Sequence, residues 1–187
     1  VLAGNIDEFD GAYMMTRLVD YIVEHLSQQI KAGCDTVQVF DSWASDLGEE
    51  HIIPYCYEPT AQIVERLRDL HPDVGIIVFP RLIGEEINNF SKYVNADCIS
   101  LSDDMKTDWI LKRMGHQCLQ GGIPPQVLLS ERKEEIIRGT VPMIRQMKDC
   151  AYVVNLAHGI NKETPVENVR FFIEIVKRNR ENITRET

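Results

Sequence analysis

Residues 33–45 read GCDTVQVFDSWAS, and this stretch decides how the chain is expected to fold. The TVQVF segment is rich in β-branched residues and runs into polar DSWAS, which predicts a buried strand followed by a loop. Residues 12–32 before it predict a helix that Gly33 ends, because apolar side chains recur there at helical spacing: Met14, Leu18, Ile22, Leu26 and Ile30. Helix, buried strand and polar loop together form the repeating unit of a parallel α/β fold.

The same rhythm continues along the chain. Further strands are predicted at 74–79, 97–101, 117–120 and 152–156, and further helices at 59–70, 85–93, 107–114 and 130–147. Pro142 predicts a kink or a break in the helix at 130–147. Thr164 and Glu167 predict a capping box with Pro165 as the first helical residue, which would start a last helix that runs to about residue 180.

The spacing of these strands indicates a barrel. Their centres lie roughly 30 residues apart, the pace of a (β/α)₈ barrel whose eight units fill about 250 residues. We therefore predict an α/β fold of the (β/α)₈ TIM-barrel type, with residues 1–187 as the C-terminal part of one such domain, about five β/α units. The chain starts at Val1 rather than Met, so we expect an excerpt of a longer protein. An open doubly wound sheet also fits the alternation, but no G-x-G-x-x-G or P-loop follows a strand.

Composition restricts the classes of partner. A net charge of −9 disfavours nucleic acid and anionic membrane surfaces, which depend on basic patches. Apolar runs such as VGIIVFP fall well short of the roughly 20 residues of a membrane-spanning helix, so no membrane partner is predicted. The five cysteines are odd in number and scattered, which favours a reducing cytoplasm over a disulfide framework.

Ligands of parallel α/β folds bind beyond the C-terminal ends of the strands, so the residues that follow each strand are the candidates for chemistry. This filter selects residues 40–43, 80–81, 100–103, 121–122 and 155–159. Asp41 and Ser42 also suit a simple turn, Trp43 suits packing, and the two glycines suit a backbone turn. His158 lies between Ala157 and Gly159, where a side chain is placed to face a cleft.

A metal site and a cysteine nucleophile find little support. His116 and Cys118 have the H-x-C spacing of some zinc sites, but they enter their strand at its N-terminal end and no third ligand is evident. No cysteine lies at a predicted C-terminal strand end, where a Cys–His pair would be expected. We predict no metal site.

Three segments in the same order resemble the uroporphyrinogen decarboxylase family: GCDTVQVFDSWAS, CLQGGIPPQVLL and VVNLAHGINKETPVENV. The similarity runs from about Met14 to Lys177. It implies a homodimer that converts uroporphyrinogen III, a tetrapyrrole, to coproporphyrinogen III by decarboxylating four acetate side chains without a cofactor. Gly122 and Pro124 stand where the family usually has Asn and Asp, and Ser102 stands where Asp is expected.

The resemblance also implies roles for residues of this chain. Ser42 would donate its hydroxyl to a substrate carboxylate, and His158 would be the catalytic residue that binds a carboxylate or handles a proton. Phe40 would line the apolar wall against which a flat ring rests. Ser42 and His158 are expected on one rim of the sheet. The family's arginine-rich motif, pyrrole-binding Asp and substrate-contacting Tyr would lie upstream of Val1, so the chain alone is expected to be inactive.

Two alternatives remain open. The first is a relative of the cobamide-dependent methyltransferases, which share the barrel. Those enzymes place an H-x-C zinc motif in the strand that matches VGIIVFP and a cysteine near His158, and this chain has neither. The second alternative is a catalytically silent homologue that retains the barrel.

Overall fold

A computed structural model describes residues 8–186 of the chain, and the side chains of residues 11–179. Residues 1–7 and 187, which the predicted domain includes, lie outside this range. The chain forms two compact units, with the boundary between Ile99 and Ser100. Each unit is described by itself, and the assignment of the whole chain to a single domain stays a prediction.

The first unit alternates helices with parallel strands. Its elements are α1 (Glu8–Lys31), β1 (Thr36–Asp41), α2 (Glu49–Ile52), α3 (Glu58–Leu70), β2 (Gly75–Pro80), α4 (Ile87–Val94) and the start of β3 (Cys98–Leu101). Strand β1 pairs with β2 from Thr36↔Gly75 to Asp41↔Pro80, so both strands end at the same level. Ile77 and Val78 of β2 then pair with Cys98 and Ile99.

Helix α1 ends as predicted. Gly33 has φ 108, its N–H donates to the carbonyl of Ile30, and the N–H of Cys34 donates to the carbonyl of Gln29. These are the two bonds of a Schellman motif, which favours glycine at the left-handed position. The buried face of α1 carries Val19, Val23 and Leu26, whereas the apolar Met14 and Leu18 remain about half exposed.

The second unit continues the alternation. It contains the end of β3, then α5 (Thr107–Met114), β4 (Cys118–Gly121), α6 (Lys133–Gln146), β5 (Tyr152–Val153) and α7 (Val166–Glu186). Leu119 and Gln120 of β4 pair in parallel with Tyr152 and Val153 of β5. The core between α6, α7 and the 3₁₀ turn before α6 is built on four buried side chains: Leu128, Ile136, Val141 and Ile175.

The strands lie in the sheet in chain order, from β1 to β5. This order and the parallel pairing are those of successive β/α units wound in one direction, as in a TIM barrel. The predicted fold class is confirmed: an α/β structure with five parallel strands, consistent with part of a (β/α)₈ barrel.

Three local predictions are corrected by the structure. Of the kink or break predicted at Pro142, the break is absent, because α6 continues through this residue. Pro142 and Arg138, whose carbonyl loses its helical partner, both lie on the exposed face, where water can replace the bond. Strand β5 has only two residues, although Leu156 forms an isolated bridge to Ile123. The Thr164 hydroxyl is buried without a hydrogen-bond partner, so it does not cap α7, whose first bonds go to the carbonyl of Pro165.

Within the part of the chain that the structure describes, no helix combines the length and apolar character needed to cross a membrane.

Candidate active site at the strand ends

A tight turn after β1 presents Ser42. The carboxylate Oδ1 of Asp41 accepts a hydrogen bond from the backbone N–H of Trp43 at 3.3 Å, which closes the turn over Ser42. Ser42 is exposed, and Trp43 is 72% exposed. The packing role considered for Trp43 is therefore not seen in this unit, whereas Asp41 does act as a turn former. Among the residues that the structure describes, the Ser42 hydroxyl has no hydrogen-bond partner, so a ligand can reach it from outside.

Asp41 itself is held by a residue that the sequence did not single out. Burial raises the pKa of the Asp41 carboxyl, and hydrogen bonds from the Cys56 thiol and the Trp43 N–H oppose that rise. Cys56 is 1% exposed, and burial together with the Asp41 charge raises the pKa of its thiol, so the thiol stays protonated and donates. Cys56 thus positions Asp41, and Asp41 positions the turn.

Cys56 reaches Asp41 from a π-helical turn, Ile53–Tyr57, which joins α2 to α3. Tyr57, in the same turn, contributes its hydroxyl to Glu86, with Oε2 at 2.9 Å and the backbone carbonyl at 3.1 Å. Burial and this carboxylate raise the pKa of Tyr57, which keeps the phenol as a donor. π-Helical turns are frequent at functional sites. This one supports the Ser42 turn by placing Cys56 against Asp41. No local sequence pattern predicts it.

Phe40 is the last but one residue of β1, two residues before Ser42. It is 65% exposed, and its ring meets the buried ring of Phe79 edge-on, with centroids 6.3 Å apart. Such an edge-to-face pair fixes the orientation of the exposed ring. The exposed Phe40 ring is an apolar surface beside the Ser42 turn, as an apolar wall requires.

The end of β2 carries Arg81 and a strained residue. The N–H of Arg81 donates to the carbonyl of Asp41 at 3.0 Å, which extends the β1–β2 ladder by one step. Leu82 then adopts φ 58, a left-handed conformation that costs a non-glycine residue on the order of 1–3 kcal/mol. Arg81 was among the residues predicted to follow a strand, but the sequence indicated no role for it.

In the second unit, the end of β4 is built from two left-handed glycines, Gly121 at φ 82 and Gly122 at φ 84. The Gly122 N–H donates to the carbonyl of Leu101 at 3.1 Å, and the Tyr152 hydroxyl donates to the carbonyl of Gly121 at 2.6 Å. Burial raises the pKa of Tyr152, so its proton is retained for this bond. Gly122 replaces the expected Asn at little conformational cost, because both residues tolerate positive φ. The two glycines therefore let the backbone turn at the end of β4, which is the structural role considered for them.

Polar side chains at the end of β3 are turned inward. The Gln120 amide of β4 donates to the Ser100 hydroxyl at 3.3 Å, and both residues are buried. Ser102, which stands where Asp is expected, is 5% exposed. A small hydroxyl at this buried position avoids the cost of desolvating a carboxylate.

His158 follows the last paired residues of the second unit. The N–H of Ala157 donates to the carbonyl of Ile123 at 2.7 Å, and Ala157 is 2% exposed, so the backbone just before His158 is anchored. The His158 ring is half-buried, and its Nδ1 lies 2.9 Å from the carbonyl oxygen of Gly159. A proton on Nδ1 satisfies that carbonyl and leaves the Nε2 lone pair available to a ligand.

Cys118 is the first residue of β4, at its N-terminal end, as predicted, and His116 lies in the turn before it. Across the described residues, no group of three or more His, Cys, Asp or Glu side chains is arranged to hold a metal ion.

Phe40, Asp41, Ser42 and Arg81 therefore lie at two neighbouring strand ends of the first unit, whereas His158 belongs to the second. Phe40 and Asp41 are the last two residues of β1, Ser42 and Arg81 follow β1 and β2, and His158 follows the bridge at Leu156. The functional roles of Ser42, Phe40 and His158, and the rim that Ser42 and His158 would share, stay predictions.

Comparison with known proteins identifies the family. The family described as Uroporphyrinogen decarboxylase (URO-D) matches residues 9–179. Proteins named uroporphyrinogen decarboxylase from Cereibacter sphaeroides and Orientia tsutsugamushi are 31% and 34% identical over 88% and 86% of this chain. One from Paracoccus denitrificans is 31% identical over 89% of the chain. These matches cover 48%, 47% and 48% of the relatives, so the chain spans about half their length. The match runs through every strand end described above, and the chain belongs to the uroporphyrinogen decarboxylase family.

Proposed function

We propose that the full-length protein containing this chain is a uroporphyrinogen decarboxylase, which converts uroporphyrinogen III to coproporphyrinogen III. The observation that supports this most is the family match over residues 9–179, which includes both Ser42 and His158. Relatives that carry this name align over 86–89% of the chain. We also propose that the enzyme works as a homodimer, as the family resemblance implies, and in the cytoplasm, which the odd number of scattered cysteines favours.

The reaction replaces each of four acetate groups by a methyl group. Protonation of a pyrrole ring creates an electron sink, the bond between the acetate methylene and its carboxylate carbon breaks, and CO₂ leaves while the electron pair moves into the ring. A proton then adds to the methylene carbon and the ring loses its extra proton. The net change for each group consumes one proton and one carboxylate and releases one CO₂, so no oxidant or reductant is needed.

The described residues support two parts of this chemistry, which are substrate binding and proton transfer. Ser42 offers an exposed hydroxyl donor on a turn fixed by Asp41, and fixed donors stabilise charge without reorganising during the reaction. The exposed Phe40 ring offers a flat apolar contact for a macrocycle. His158, with its Nδ1–H donating to the Gly159 carbonyl, has Nε2 available to accept a proton, and when the ring carries both protons Nε2 can donate to a substrate carboxylate.

The test is turnover by the purified full-length protein. We expect it to convert uroporphyrinogen III, kept reduced under anaerobic conditions, to coproporphyrinogen III, with the partly decarboxylated porphyrins resolved by chromatography after oxidation. A folded full-length protein that forms no product would refute the proposal. Bound zinc with methyl transfer to a cobamide would indicate the methyltransferase alternative, and binding without turnover would indicate a silent homologue.

A further inference from the structure

The Arg81 side chain carries a positive charge that nothing in the described structure neutralises. Its Nε is shielded from solvent and has no hydrogen-bond partner. No carboxylate among the described residues forms an ion pair with it, whereas Arg66 and Arg68 of the same unit pair with Asp20 and Asp97. A shielded donor without a partner lowers the stability of the folded protein, and a ligand that accepts a hydrogen bond from it would recover that free energy.

Asp41, the acidic residue nearest along the β1–β2 ladder, is turned to other partners. Although the Arg81 N–H donates to the Asp41 carbonyl, the Asp41 carboxylate accepts hydrogen bonds from the Cys56 thiol and the Trp43 N–H instead. The Arg81 guanidinium therefore does not form an ion pair with the Asp41 carboxylate of the adjoining turn.

Strand geometry places Arg81 beside the residues already described. Phe40 and Phe79 are directly opposite in the β1–β2 register, and their rings touch, so they share one face of the sheet. Side chains two residues apart along a strand lie on the same face. Ser42 and Arg81 lie in the turns directly after these strands, two residues beyond Phe40 and Phe79. The bond from the Arg81 N–H to the Asp41 carbonyl extends the ladder past the paired residues, so the backbone of Arg81 lies opposite that of Ser42. A hydroxyl, an aromatic ring and a guanidinium thus belong to two neighbouring strand ends at the same level.

We propose that Arg81 is a substrate-binding residue of this chain, which pairs with one carboxylate of a flat polycarboxylate whose ring rests on Phe40. The inference rests on the proposed function and adds a residue to its site. A guanidinium forms paired hydrogen bonds with a carboxylate, and this short-range contact can hold an anion on a chain whose net charge is −9. Leu82, left-handed directly after Arg81, holds the backbone at this position in one strained conformation.

Three variants of the full-length protein test this assignment. Arg81→Met removes the charge and the shielded donor but keeps a long stem, and Arg81→Lys keeps the charge but loses the paired geometry. Lys92→Gln, on the exposed side of α4, removes one positive charge of the same unit and is the control. The assays are steady-state decarboxylation of uroporphyrinogen III, binding of uroporphyrin followed by its fluorescence, and thermal unfolding.

For Arg81→Met we expect KM and the uroporphyrin Kd to rise about tenfold or more, with kcat changed less than KM, because a contact made equally in ground and transition states affects KM. Arg81→Lys should fall between this variant and wild type, and Lys92→Gln should match wild type. The melting temperature of Arg81→Met should equal or exceed that of wild type, because an unpartnered shielded donor is gone.

The outcomes separate this inference from the proposed function. An active wild type with unchanged KM and Kd in Arg81→Met overturns the inference alone. An Arg81→Met variant that unfolds also overturns it, because the guanidinium would then support the fold. A folded wild type that neither binds uroporphyrin nor decarboxylates uroporphyrinogen III refutes the proposed function, and this inference with it.

Discussion

Replacing Gly121 by Ala should destabilise the protein more than replacing Gly84 by Ala, because two penalties coincide at the end of β4. Gly121 has φ 82, and a left-handed conformation costs an L-residue about 1–2 kcal/mol. An added Cβ would also lie 3.0 Å from the Leu101 carbonyl oxygen and 3.3 Å from that of Leu156. These are backbone atoms of neighbouring segments, so they cannot rotate away, and overpacking of this kind costs about 1–3 kcal/mol more.

Gly84→Ala is the matched control for this substitution. Gly84 has φ 57, so it carries the conformational penalty, but a Cβ there meets no atom within 4 Å. Urea unfolding of the full-length variants should therefore show a loss of about 1–2 kcal/mol for Gly84→Ala and about 2–5 kcal/mol for Gly121→Ala. Decarboxylation by Gly121→Ala should fall in parallel, because the glycine turn shapes a strand end.

The difference in stability between the two variants tests whether nearby backbone atoms restrict residue 121. If Gly121→Ala loses no more stability than Gly84→Ala, the close approach of the Leu101 and Leu156 carbonyls does not restrict this position, and the reasoning fails. If Gly84→Ala is as stable as wild type, the conformational penalty has been overstated for both positions.

Four further predictions concern the site and the assembly. His158→Asn in the full-length enzyme should lower kcat/KM for uroporphyrinogen III about 10–100-fold with little change in unfolding, since the residue is placed for binding or proton transfer rather than packing; a loss of stability with no specific kinetic defect would contradict this. Burial raises the pKa of the Asp41 carboxyl above its ordinary value of 3.8, so the unfolded chain ionises at a lower pH than the folded protein, and the fold loses stability as the pH rises through that range. Asn does not ionise. In urea unfolding, Asp41→Asn should therefore gain stability relative to wild type above pH 3.8, and the gain should vanish below it. The isolated 187-residue chain should not decarboxylate uroporphyrinogen III, and measured turnover would show that it needs no further residues. Light scattering of the full-length protein at micromolar concentration should give a dimeric mass, and a monomeric mass would count against the homodimer.

The order of helices and strands was predictable because local patterns carry it. The β-branched TVQVF segment became β1, the VGIIVF segment became β2, and α5 spans Thr107–Met114 as its periodicity indicated. Gly33 stopped α1 because only a residue without a Cβ enters the left-handed position easily. Ser42, Phe40 and His158 lie in segments at the C-terminal strand ends, where parallel sheets bind ligands, and the family resemblance gave these three their predicted roles.

What sequence could not predict depends on contacts between segments that are distant in the chain. The π-helical turn Ile53–Tyr57 buries Cys56 against Asp41, and neither residue signals the other. Thr164 has the local pattern of a cap, but its hydroxyl is buried without a partner while the first bonds of α7 go to the carbonyl of Pro165. Pro142 stays within α6 because its exposed face lets water satisfy the backbone. Sequence alone therefore determined the family, the alternation of helices and strands, and the strand ends that carry the candidate residues. Only the tertiary structure decided how those residues are supported, and that Arg81 has no ion-pair partner among the described residues, because both depend on which distant groups pack nearby.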